Sequence, residues 1–552
     1  MRSEIARRKR PPLKSRLLLA LLAVTLPAPL FAQAQAPRAD PPAPSDEEQA
    51  PAPAEPTAEE AAAAPLAVHD GEHEDDIVVT GQRLRGSVDS DIPPEVVLDP
   101  RDILATGANT IAGLLEAIAP QTRSARGRGG GGPALLLNGR RISNFSELRD
   151  LPPEAIERID ILSEEVGLRY GFRPDQRVVN IVLRSDFKAI TGETGFGMAT
   201  ACGRTNYDVD VNVLRIAPEG RWSLDLEYRR SEALFESERD ILQAQSPAPF
   251  ALGGNIAGTG AGGEIDPALS SLAGRIVTVA AVPGTAGETA PTLGAFLIGA
   301  DRPNLTDVGP FRTLLPQSQQ LQLGGTINRD VFGDVSATLN ARLELNSSES
   351  RFGLPATTLR LGPNNPFSPF GSDVLLLRSF EDPRPLTREN DGRTARLGFA
   401  LNGNILPWRW SLTSSYENIR SLSSTDAGVD PGLVQLRLDQ GDPGLNPFGP
   451  LPGNLLGARR RDTARSLNDS LDTQLVLSGP VLSLPAGKIN ATVRAGFDAR
   501  GLDSRTVRGG AEQERSLSRE RGSLQTSLDF PIASKRENVL SALGQLSGNF
   551  NA

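Results

Sequence analysis

The sequence predicts a small α+β domain followed by antiparallel transmembrane β-barrel strands, exported behind an N-terminal signal. Three observations predict it. Residues 94–187 mix helix caps, a hairpin signal and short apolar runs. From residue 188 onward, segments of about ten residues alternate between apolar and polar. The links between those segments are alternately very short and very long.

The N-terminus has the layout of a secretory signal. Arg7, Arg8, Lys9, Arg10, Lys14 and Arg16 precede a short apolar core, Leu17 to Leu26, and Ala32-Gln33-Ala34 offers small residues for cleavage. Residues 1–34 are therefore read as a signal peptide. The core is too short for a spanning helix, and no cysteine follows it for lipidation. Residues 35–73, rich in Ala, Pro and Glu, lack the large apolar side chains a core needs and read as an extended, disordered tether. Residues 74–82 hold a β-prone island, Ile77-Val78-Val79-Thr80-Gly81. Such an island is either the first strand of the next domain or a free donor for another protein's sheet edge.

Composition excludes several function classes. A mean hydropathy of -0.25 and 38% hydrophobic residues exclude a polytopic helical membrane protein. A formal charge of -9 and a pI near 5.2 argue against nucleic-acid binding. Cys202 is the single cysteine, so no internal disulfide or thiolate zinc site is expected. His69 and His73 are the two histidines; they lie in the tether, where solvated chain is favoured over a metal site. No nucleophile or acid/base set stands out, so neither an enzyme nor a cofactor is expected.

In residues 94–187, Asp99-Pro100 caps a short helix, and Asn109 or Thr110 caps a second that Pro120 stops. Leu135-Leu136-Leu137 runs into Asn138-Gly139, a two-residue hairpin signal. Pro152 and Pro153 are read as starting a third helix bearing Ala155, Ile156 and Ile159, which passes into Ile159 to Leu162. A last strand spans Val178 to Leu183.

Beyond residue 187 the clearest segment sets Val335, Ala337, Leu339, Ala341, Leu343 and Leu345 against Ser336, Thr338, Asn340, Arg342, Glu344 and Asn346. Period two with charge on one face fits a strand with lipid outside and water inside. A soluble β-sandwich alternates in the same way, but link lengths favour the barrel. Short links fall at Ala217 to Gly220, Phe332 to Asp334, Leu406 to Trp408 and Ser483 to Gly487. Between them lie long, structureless-looking Gly/Pro-rich links at Glu236 to Ser318, Gly353 to Gly392, Ser423 to Arg465 and Leu502 to Arg521. The reading gives eleven strands, the last from near Asn538 to Ala552. An unpaired edge in lipid is costly, so the chain is expected to need further strands, from a longer polypeptide or a partner chain. Aromatics, at 5% with 4 Tyr and 3 Trp, are sparse for the girdles of a barrel.

In the order of these elements, Asp76 to Phe187 resembles the plug domain of TonB-dependent outer-membrane receptors. The motifs are Glu74 to Gly81, the helix near Thr110 to Ala119, Leu137-Asn138-Gly139-Arg140-Arg141, Ala155 to Leu162, Tyr170-Gly171 and Val178-Val179-Asn180-Ile181-Val182-Leu183. Residues 188–552 resemble the first part of that family's barrel, about half of 22 strands. The resemblance implies a TonB box, Asp76, Ile77, Val78, Val79 and Thr80, that pairs with the periplasmic domain of TonB and is pulled by the ExbB–ExbD motor. It implies import of a scarce nutrient, with siderophore, cobalamin and glycan all open, through a barrel set in outer-membrane lipid. Asp175-Gln176-Arg177 stands where the family has glycines, and Ser163-Glu164-Glu165 replaces a Gly-Pro-rich corner. The rivals are a structural or adhesive surface barrel without TonB, and a secreted β-rich hydrolase.

Arg126, Arg128, Gly129 and Gly130 fall where an apical loop binds substrate; a flexible loop is the competing reading. Arg140, Arg141, Arg158, Glu157, Glu164 and Glu165 either pair with the barrel wall or sit on solvated plug surface. Asn365-Pro366-Phe367 and Asn446-Pro447-Phe448 recur in two long links, with loop packing favoured over ligand stacking. No role is assigned to Cys202.

Overall fold

The computed structural model describes residues 84–552 except 91, 124–131, 174, 240, 242–248, 382–383, 458, 536 and 545. Among the described residues, no helix is long and apolar enough to cross a membrane.

The first domain is built on a five-stranded sheet. Its strands are β1 (Val96–Leu98), β2 (Ala134–Leu137), β3 (Arg140–Arg141), β4 (Ile156–Leu162) and β5 (Val178–Leu183), in the order β1-β4-β5-β2-β3. Helices α1 (Pro100–Ala105), α2 (Ile111–Ala117), α3 (Ala119–Thr122), α4 (Ser146–Arg149) and α5 (Glu164–Arg169) surround it. Asp99 caps α1 in a reciprocal box with Asp102, and the Thr110 hydroxyl accepts from the Gly113 amide to start α2. Pro120 does not end helical structure; it sits in the first turn of α3, where a missing amide costs nothing. The expected third helix is absent. Pro153–Ala155 makes one 3-10 turn, and Ile156 to Leu162 is strand, because this run is buried on both faces between β1 and β5. Ser163-Glu164-Glu165 opens α5.

The second part is an eleven-stranded antiparallel sheet. Strands β6 (Phe187–Met198), β7 (Thr205–Ala217) and β8 (Gly220–Ser231) lead into a long link holding β9 (Leu234–Phe235), β10 (Asn255–Gly258), α6 (Pro267–Ala273), β11 (Val279–Ala281) and β12 (Thr313–Leu315). The sheet resumes with β13 (Gln317–Val331) and β14 (Val335–Arg351). A second link carries β15 (Ala356–Leu361) and β16 (Val374–Ser379) before β17 (Thr387–Ile405) and β18 (Trp408–Asp426). A third link carries α7 (Gly432–Asp439). Strands β19 (Arg461–Leu484), β20 (Gly487–Arg508), β21 (Ala511–Ala533) and β22 (Leu546–Asn551) follow. Sheet neighbours are sequence neighbours, from β6 at one edge to β22 at the other, and the four short turns share one end.

Two expectations about the links fail. The span from Leu502 to Arg521 is not a loop; β20 and β21 continue through it to a turn at Gly509-Gly510. The final strand begins at Leu546 rather than near Asn538, and Ser541–Leu543 forms a 3-10 turn before it. The other three long links are far from structureless. Their strands pair in the order β11-β10-β16-β15, and one apolar core gathers Phe296 from the first link, Phe370 from the second, and Val434 and Phe448 from the third. Together they form a folded cap. The two Asn-Pro-Phe motifs brace it. The Asn365 and Asn446 side chains accept from the Phe367 and Phe448 amides, while their Nδ2 groups donate to Leu438 O and to Ala286 O and Gly287 O of other links.

The sheet is inside out relative to a soluble protein. On β14, Ser336, Thr338, Asn340 and Arg342 are buried, whereas Leu339 is 50% exposed. The polar face touches the first domain, and Leu214 and Ile216 of β7 complete that domain's core. The apolar run from Val335 to Leu345 covers roughly 33 Å of strand, or a band of about 25 Å at the tilt usual for barrel strands. The fold is a plug domain packed on the inner, polar face of a partial antiparallel β-barrel.

Candidate functional site

The site is the plug–wall interface and the chamber above it. Three plug elements reach the wall. The first is the β2–β3 hairpin, turned at Asn138 and Gly139 with φ of 51° and 73°. A Cβ on Gly139 would lie 2.7 Å from Ser87 O, so glycine is required there. Buried Asn180 fixes the turn, accepting from the Gly139 amide at 2.7 Å and donating to Gly86 O and Asp160 Oδ2. The hairpin thereby presents Arg140 to Asp330 at 3.0 Å, and Arg141 to Asn402 and Gln474. Burial and nearby Arg494 lower the Arg141 guanidinium to about 10, with Asp472 opposing, so it stays charged at neutral pH.

The second element is α4 with its flanks. Glu147 accepts from Ser143 N and Oγ at 2.8 and 2.7 Å, and Asn340 donates to Ser143 Oγ at 2.9 Å. Burial pushes the Glu147 carboxyl above its ordinary value, while Ser143 and Arg221 pull it down. Asp150 receives Arg342 on both carboxylate oxygens, and Arg342 also lies 3.4 Å from Asp225.

The third is the C-terminal end of α5. Three guanidiniums converge on consecutive carbonyls: Arg409 on Arg169 O, Arg141 on Tyr170 O and Arg494 on Gly171 O. A helix C-terminus exposes carbonyls with partial negative charge, and cations there are stabilising. Arg409 also stacks over the Tyr170 ring, 3.7 Å from its centroid.

Of the charged plug residues singled out in the sequence, Arg140 and Arg141 meet the wall. Arg158, Glu157 and Glu164 pair within the plug, with Asp160, Arg85 and Arg177. Asp76, Ile77, Val78, Val79 and Thr80, expected as a TonB box, Arg126, Arg128, Gly129 and Gly130, expected to bind substrate, and His69 and His73 lie outside the described residues. On either side of residues 124–131, Arg177 donates to Gln121 O and Gln176 to Gly132 O.

Sequence reasoning missed Glu147, Asp150, Arg221, Arg342, Arg409 and Arg494. For the wall arginines the signal existed, since each falls at a polar position of an alternating strand; for α4, four residues give no periodicity.

Above the plug contacts the inner wall continues to the cap roots. A cavity of about 380 Å³ lies there, lined by Arg229, Ser231, Gln320, Asn346, Asn390 and Asp391 among others. Among the described residues no cluster of His, Cys, Asp and Glu is arranged to hold a metal.

No family model and no curated protein matches the chain. Solved structures similar to it include the siderophore receptor PiuA from Acinetobacter baumannii, at 12% identity and a TM-score of 0.32, covering 79% of this chain and 62% of that one. The ferric yersiniabactin uptake receptor FyuA from Yersinia pestis is 9% identical with a TM-score of 0.30, covering 80% and 62%. The ferripyoverdine receptor of the outer membrane of Pseudomonas aeruginosa is 10% identical with a TM-score of 0.32, covering 81% and 50%. The chain thus spans about half to two thirds of the length of the solved structures it matches.

Proposed function

We propose that this chain is the plug and leading barrel wall of a TonB-dependent outer-membrane receptor that imports a scarce solute by energy-coupled displacement of the plug. One observation carries the reading: a sheet with its apolar face exposed and its polar face buried holds a small domain by hydrogen bonds and ion pairs rather than by a shared apolar core alone. An exposed apolar band suits lipid. A polar plug interface suits a part that must leave and return, because water replaces its hydrogen bonds during the excursion at modest net cost. The box Asp76 to Thr80 supplies the handle in this reading, by strand addition to TonB driven from the ExbB–ExbD motor.

The test is binding of the purified chain to the periplasmic domain of TonB. Wild-type chain is expected to bind. Val78→Pro, which removes a ladder amide in mid-box, is expected to abolish binding while leaving the plug and sheet intact. Equal binding by both proteins refutes the assignment.

A further inference from the structure

Two cavities lie between plug and wall, one above the other along β18 and β19. The lower, about 400 Å³, sits at the short-turn end, where Asp334, Leu406, Ser411 and Ser478 line it with Ser87 and Asp89 of the plug. The upper, about 280 Å³, lies on the cap side, between Pro133 and Gln176 of the plug and Thr413, Asp472 and Gln474 of the wall. Both carry polar groups, and each is roomy enough for several water molecules. Register sets Ser411 opposite Val476 and Thr413 opposite Gln474. Consecutive inward rows of the wall, about 7 Å apart, therefore line first one cavity and then the other.

Among the described residues, Arg141 alone lines both cavities. Its guanidinium spans from plug to wall. It donates to Tyr170 O on the plug and to Gln474 Oε1 on the wall at 2.9 Å, and lies 4.6 Å from the centre of the Phe172 ring. Beside it Gly171 packs so closely that a Cβ there would lie 2.9 Å from Val476 Cγ2. One side chain and one backbone contact make the partition.

That side chain is set to move. Arg409 and Arg494 repel it, whereas Asp472 of the upper cavity attracts it. Its plug anchor is also joined to the start of the domain. Tyr170, whose carbonyl holds Arg141, donates through its hydroxyl to Gly139 O at 3.0 Å and accepts from the Asp89 amide at 3.2 Å. Asp89 belongs to the segment that leads into the plug, which Arg158 and Asn180 tie to the sheet through Arg85 O and Gly86 O. Tension on this segment is passed directly to Tyr170.

We infer that the solute passes between plug and wall along β18 and β19, and that Arg141 is the bolt across this route. The inference rests on the receptor reading above and adds its route. Swinging one arginine clear of Tyr170 and Gln474 joins the cavities and breaks few hydrogen bonds. Withdrawing the whole plug would also have to break Arg140–Asp330, Arg342–Asp150 and Asn340–Ser143. Opening the route is the smaller step.

The full chain is reconstituted into vesicles with the cap outward, in a Cys202→Ser background because Cys202 is exposed. Thr413→Cys reports on the upper cavity and Ser411→Cys on the lower. A small, charged methanethiosulfonate is added outside, and glutathione trapped inside destroys any that leaks across. Thr413→Cys is expected to react readily, and Ser411→Cys about tenfold more slowly or less. Arg141→Ala is expected to remove that difference. Gln474→Ala, which takes away only the wall anchor, is expected to reduce it severalfold, and decides the question if Arg141→Ala does not assemble. Arg342→Ala, which loosens the plug at β14, is expected to leave Ser411→Cys slow. Equal reactivity of the two cysteines with Arg141 in place overturns the inference. So does a Ser411→Cys that stays slow in both bolt variants, or that Arg342→Ala exposes as fully as Arg141→Ala does. TonB binding on the same preparations keeps the two proposals apart. TonB binding with a persistently slow Ser411→Cys sinks the route alone, and the expected labelling without TonB binding sinks the receptor reading alone.

Discussion

Arg342 of the wall and Asp150 of the plug meet through two 2.6 Å hydrogen bonds, on an arginine side chain only 2% exposed. Asp225 stands 3.4 Å from the same guanidinium. Arg342→Ala would leave two carboxylates facing one another with their paired cation gone and only the charge of Arg221 still acting on Asp150. Loss of one partner from a buried pair costs roughly 3–5 kcal/mol. Hydrogen exchange of the α4 amides is expected to accelerate correspondingly, with the sheet unchanged. Arg342→Ala combined with Asp150→Asn should recover part of that loss, because only one carboxylate is then left uncompensated.

Glu147 gives a pH dependence of definite sign. Its carboxyl is raised by burial, so the folded state favours the neutral form. The stability it contributes is full below the ordinary carboxyl value of 4.5 and is lost as pH rises through its elevated folded value. Glu147→Gln is therefore expected to match wild type below that point and to hold the plug more firmly at neutral pH. Urea midpoints for plug release at acid and neutral pH check this; a Gln variant weaker at neutral pH contradicts it.

The cap is expected to unfold as one body. Phe296 is fully buried, with ring centroids 4.9 Å from Phe370 and 6.3 Å from Phe448, so each of the three long links contributes one ring. Phe296→Ala should cost roughly 3–5 kcal/mol. Limited proteolysis should then cut all three links together. Cutting confined to residues 236–316 would show that the links fold separately.

Much of this was legible in the sequence wherever a local rule and the final environment agree. Asp99 and Thr110 cap through neighbours within a few residues, and Asn138-Gly139 adopts the positive φ that its turn needs locally, so caps and turn are found where the spacing puts them. The β14 alternation survives because lipid and water fix its two faces. Ile156 to Leu162 misled because Ile156 and Ile159 satisfy a helical spacing, and burial on both faces erased the period of two. Residues 502–521 misled for the opposite reason: beyond the lipid band both faces of β20 and β21 are wet, and alternation disappears. The cap was invisible because its core joins residues as distant as Ile256 and Leu456, and no window along the chain holds that information. In the site, the polar strand positions of Arg409 and Arg494 were legible, but that both meet the end of α5 depends on the fold bringing β18 and β20 to one helix end.

The most direct test of the outward-facing apolar band uses the protein's own tryptophans. All three, Trp222, Trp408 and Trp410, occupy the apolar face beside short turns, with Gly403 and Gly479 making room for the rings of Trp410 and Trp408. That is the position of an interfacial girdle. Reconstituted into bilayers of lipids brominated near the headgroup, the wild-type chain should lose most of its tryptophan fluorescence. Undiminished emission, with the chain remaining in solution without lipid or detergent, would contradict the account.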